Sequence, residues 1–106
     1  MKLSDIVNAA GLSEGYSLEV SVGGNQELLL FGGPNAGKAI VESGTDKEIP
    51  ADADIDVTIT CLDAGVSEAK RRIIEAMRTA GRYAVRGNGG QNANGQVFGS
   101  NSFRAL

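Results

Sequence analysis

The sequence predicts a small α+β protein: a mainly antiparallel sheet of four to six short strands on one principal helix (about residues 67–80), with a short N-terminal helix and an extended C-terminal tail. Three observations carry that expectation. Residues 16–22 and 55–62 alternate apolar and polar side chains, the period of a half-buried strand. Residues 66–80 repeat apolar side chains at helical spacing. At 106 residues the chain has material for one core, because two would each be too small to bury enough surface.

Ser4 is placed to cap a helix running to about Ala10, with Ile6, Val7 and Ala10 on one face and Gly11 at its end. In the strand that follows, Tyr16, Leu18, Val20 and Val22 turn to one side. Gly23, Gly24 and Asn25 supply the positive-φ residues of a tight reversal, so Gln26–Phe31 returns as the second arm of a hairpin. After the turn-rich residues 32–37, Lys38–Glu42 reads as a brief third strand and residues 43–54 as a polar loop. Ile55–Leu62 is the clearest strand, with Ile55, Val57, Ile59 and Cys61 to one side and Asp56, Thr58 and Thr60 to the other. Ser67 suits the N-cap of a helix ending near Ala80, where Val66, Ala69, Ile73, Met77 and Ala80 share a face. Glu68 with Arg72 and Arg71 with Glu75 form i,i+4 pairs on its wet side, and Gly81 closes it. Tyr83–Arg86 reads as one more short strand.

Composition changes at residue 87. Residues 87–106 hold five Gly, four Asn, two Gln and two Ser, with Arg104 as the only charge. Such a segment buries little surface and costs much entropy to order. The expected organisation is therefore a compact domain over 1–86 and a Gly/Asn-rich tail over 87–106, whose apolar anchors are Val97, Phe98, Phe103 and Leu106.

Composition also narrows the chemistry. The chain has no His, the residue most often used as general base, metal ligand and partner to Ser or Cys nucleophiles. With Cys61 alone, neither an intrachain disulfide nor a Cys/His zinc site can form within one chain. No enzyme activity and no cofactor or metal are expected. The first fifteen residues lack a continuous signal-peptide core, and the longest apolar run, Leu28–Phe31, is far short of the roughly 20 residues that cross a bilayer. A cytoplasmic protein without membrane contact is the expectation.

Two motifs invite sharper readings. Gly32 to Ala39 fits GxxxxGK but has Ala39 where the Mg²⁺-binding hydroxyl of a phosphate loop belongs, and Ser43-Gly44 follows too soon for the required helix. Nucleotide hydrolysis is disfavoured; passive phosphate or small-ligand binding by Gly33, Gly37 and Lys38 is the alternative kept. Asp52, Asp54, Asp56 and Asp63 occupy calcium-loop positions, yet Val57 stands where the sharp turn needs Gly, so the solvent face of a strand explains them better. Cys61, on the apolar side of that strand, reads as a small buried hydrophobe.

Charge is distributed unevenly. Glu42 to Asp63 contains seven acidic residues and one Lys, a net of −6, whereas Lys70 to Arg86 contains six basic residues and only Glu75, a net of +5. Lys70, Arg71, Arg72, Arg78, Arg82 and Arg86 could meet nucleic-acid phosphates or the acidic strand of another protein. Nucleic acid ranks lower, because the chain is net acidic and Tyr83 is the only aromatic residue among the arginines. Head-to-tail packing would use both poles at once. The expected function is thus a non-catalytic structural or interaction protein forming homo-oligomers or larger assemblies, clamped by a tail anchored on Val97, Phe98 and Phe103. In size and composition it resembles the small structural proteins of phage particles, which implies incorporation into a virion.

Overall fold

Period-two alternation builds the sheet and period-3.6 spacing the layer upon it. The structure, a computed structural model, describes residues 1–11, 16–31, 47–61, 66–91 and 95–105. Along the chain these form α1 (Leu3–Ala10), β1 (Ser17–Val22), β2 (Asn25–Phe31), β3 (Ile55–Cys61), α2 (Val66–Thr79), β4 (Arg82–Gln91) and β5 (Val97–Ala105). The strands make one antiparallel sheet in the order β2-β1-β3-β5-β4. The α+β class and the two helices match the sequence expectation. The strand expected at Lys38–Glu42 lies outside the described residues.

β1 turns back into β2 through Gly23-Gly24, with φ of 59° and 85°, a backbone that side-chain-bearing residues rarely adopt. Asn25, expected to share that conformation, is instead the first residue of β2. Gly11 ends α1 at φ 58° and Gly81 follows α2 at φ 80°, both as expected. The expected N-caps differ. α1 starts one residue before Ser4: the Lys2 N–H donates to the Asp5 carboxylate at 2.8 Å, and Ser4 is buried inside the first turn. α2 starts at Val66, which puts Ser67 within it.

Leu18 and Val20 of β1 and Ile55, Val57, Ile59 and Cys61 of β3 face one side of the sheet, where they meet Leu3, Ile6, Val7 and Ala10 of α1 and Val66, Ala69, Ile73 and Met77 of α2 in a single core. Cys61 is buried, as the sequence indicated. Both helices therefore lie on the same face.

Residues 87–106 do not extend as a tail. Among the described residues, 87–91 complete β4 and 97–105 form β5, which runs inside the sheet between β3 and β4. The expected boundary at residue 87 falls in the middle of a strand. Composition misleads here because the glycines are packing positions. A Cβ on Gly99 would come within 2.4 Å of the Lys70 Cδ and 2.8 Å of the Val66 Cγ1, so glycine lets α2 sit down on β5. Across the sheet, Gly87 leaves room for the buried Asn101 side chain, and Gly90 lies beneath the ring of Phe98.

Candidate functional site

The face of the sheet turned away from the helices is open among the described residues. Strand register fixes its contents. One cross-strand row reads Leu29, Glu19, Thr58, Ser100 and Asn88, and the next reads Gln26, Ser21, Asp56, Ser102 and Arg86. Phe98 and Tyr83 stand on the same face, with Tyr83 opposite Arg104. At one end, Asp54, Asp56, Arg86, Ser102 and Arg104 border a shallow cleft of about 280 Å³. The Ser102 hydroxyl donates to the Asp56 carboxylate, and Arg104 Nε lies 3.9 Å from an Asp54 carboxylate oxygen. Asp54 and Asp56 are thus engaged by neighbours, and no three acidic residues gather as a cation site among the described residues.

The six basic residues nominated from sequence do not share a surface. Arg72 reaches α1, donating from Nε to the Ala9 carbonyl at 3.1 Å and from Nη2 to the Ala10 carbonyl at 2.9 Å. It satisfies carbonyls that the end of α1 would otherwise leave open. Arg82 is 3% exposed, and its guanidinium donates to the Pro50 and Ala53 carbonyls, both at 2.5 Å. Both are structural, and Arg82 is withdrawn from the proposed interaction set because burial leaves it nothing to offer a partner. Arg71 bridges Glu68 and Glu75 on the outer side of α2; its hydrogen bond holds the Glu68 carboxyl below the usual carboxylate range, and Glu68 in turn raises the Arg71 pKa. Lys70 lays its stem over Gly99 and donates to the Asn88 carbonyl at 3.3 Å. Arg78 is exposed on α2, whereas Arg86 is exposed on the opposite, open face. A continuous basic stripe for phosphates is not formed.

Of the nominated apolar anchors, Phe103 is a correction: it is fully buried, faces the core opposite Ile55 and Ala84, and cannot fasten a partner. Val97 packs partly against the same core. Phe98 is on the open face, half-buried, and Leu106 lies outside the described residues. Gly33, Gly37 and Lys38 lie outside the described residues.

Replacing Arg82 tests its structural role. Arg82→Met keeps the stem, removes the buried charge and strands two loop carbonyls; hydrogen bonds from charged donors are worth roughly 1.5–3 kcal/mol each, and water can serve part of the vacated loop. A loss of about 2 kcal/mol is expected in urea unfolding, with unchanged slope. No loss would show that loop 50–53 does not depend on this side chain.

Sequence reasoning missed a feature that strand order brings out. β1, β2 and β3 contain Glu19, Glu27 and Asp56 and no basic residue, while β4 and β5 expose Arg86 and Arg104, bury Arg82 and contain no acidic residue. Because β1, β2 and β3 are adjacent and β5 and β4 follow, the sheet has an acidic half and a basic half. The signal was available: no Lys or Arg occurs from Leu3 to Gly37, and no Asp or Glu after Glu75. Comparison with known proteins returns no matching family model, no curated relative and no matching solved structure.

Proposed function

We propose that this chain is a non-catalytic structural or interaction protein that assembles with copies of itself, as a component of a larger particle such as a virion. The observation that carries this reading is the division of one sheet into an acidic and a basic half. Isolated surface charges contribute little to stability, but opposed charged halves set partner choice and register. A sheet face that is open among the described residues supplies area that neither helix uses. The phosphate-loop alternative concerns residues outside those described, and the nucleic-acid alternative is weakened by the structural employment of Arg72 and Arg82.

Light scattering on the purified chain tests the proposal directly. Assemblies of more than one 10.9 kDa copy are expected, shrinking as salt screens the charges. A species that stays monomeric at high concentration would refute self-assembly.

A further inference from the structure

Three described side chains are both large, apolar and exposed: Leu29 at 50%, Tyr83 at 45% and Val85 at 44%. All three lie on the two strands that border the sheet among the described residues, Leu29 on β2 and the other two on β4. β4 is ten residues long, carries neither Pro nor Lys, and its one exposed charge is Arg86. β2 likewise carries neither Pro nor Lys, and its one charge, Glu27, faces Lys47 at 3.7 Å. Sheets that avoid association usually protect their borders with such residues. Each border here has a single protective irregularity, a bulge that adds Glu27 to β2 and Val85 to β4.

We infer that the β4 border of one copy docks on the β2 border of the next, a head-to-tail contact that joins Tyr83 and Val85 to the Leu29 side and Arg86 to Glu19, the acidic residue opposite Leu29. The inference rests on the self-assembly proposed above and specifies its surface. Charge selects this pairing over the two symmetric ones. Joining β4 to β4 opposes Arg86 with its own copy, and joining β2 to β2 brings the Glu19 of the two copies toward each other. A contact between two different patches does not stop at two copies; it continues into a ring or a filament.

Charge exchange provides the test. In one variant, Val85→Glu and Arg86→Glu make the β4 border acidic; in the other, Gln26→Lys and Leu29→Lys make the β2 border basic. All four positions are exposed, and circular dichroism of each variant checks that the fold survives. Each variant alone should be monomeric by light scattering, since each sets like charges against each other. An equimolar mixture should recover assemblies, because every contact in an alternating series is complementary again. Wild-type assemblies that end at two copies, either variant assembling like wild type, or a mixture that stays monomeric would each overturn the docking. If the wild-type chain itself is monomeric, self-assembly fails and the docking with it; if wild type assembles and both variants do too, only the docking fails. Should one variant not fold, Arg86→Glu alone against Leu29→Lys alone repeats the comparison with smaller changes.

Discussion

Ending the chain after Arg86 is expected to abolish the fold. A detachable tail would leave residues 1–86 intact, but residues 87–106 contain β5, which joins β3 to β4, and Phe103, the largest fully buried side chain among the described residues. Without them β3 loses a partner along its whole length, from Ile55 opposite Phe103 to Cys61 opposite Val97, and α2 loses the strand beneath Val66 and Lys70. Domains of this size have a net stability of about 5–15 kcal/mol, and removing an internal strand exceeds that. Circular dichroism during heating should show no cooperative transition for the truncated chain. A cooperative transition near that of the full chain would mean that β5 is dispensable.

Replacing Phe103 by Ala should be the most costly single change. Its ring lies wholly inside the core, between Ile55 on β3 and Ala84 on β4, so truncation removes apolar contact and leaves a cavity that the flanking strands cannot close. Such changes cost about 3–5 kcal/mol, which for a domain of this length lowers the melting temperature by roughly 15 °C or more. Phe98→Ala provides the internal contrast. Phe98 is half-buried on the open face over Gly90, so its removal should cost about 1 kcal/mol. Equal losses for the two variants, measured by calorimetry, would place Phe103 outside the core.

What was legible in the sequence was what neighbouring residues decide among themselves. The alternation of β3, the Gly23-Gly24 reversal and the apolar stripe of α2 are short-range patterns, and each appears in the structure within a residue or two of its expected bounds. β5 was not legible, because its glycines answer distant partners: Gly99 makes sense beneath Lys70 and Val66, and Gly90 beneath Phe98. Counted by composition they resemble a flexible segment; placed in the sheet they are contact points. The basic stripe failed for a related reason. Arg72 and Arg82 find their carbonyls at residues 9–10 and 50–53, and no tally of charge along residues 70–86 can anticipate acceptors so far away. The candidate surface stands between these cases. The sign of each strand's charge was readable from the outset, but strand order was needed to turn it into two halves of one sheet.

β5 follows β4 in the chain yet inserts between β4 and β3, and that order constrains how the protein comes into being. A ribosome delivers β1, β2, β3 and both helices before the strand that completes the sheet exists. Until residue 105 has been made, β3 presents a bare row of amides and carbonyls beside Val57 and Ile59. Pairings so remote in sequence form slowly, and an uncovered row of this kind is where nascent chains stick to one another. Maturation therefore waits for a β4–β5 hairpin to arrive as a unit, and the newborn chain is at its most adhesive just before it closes.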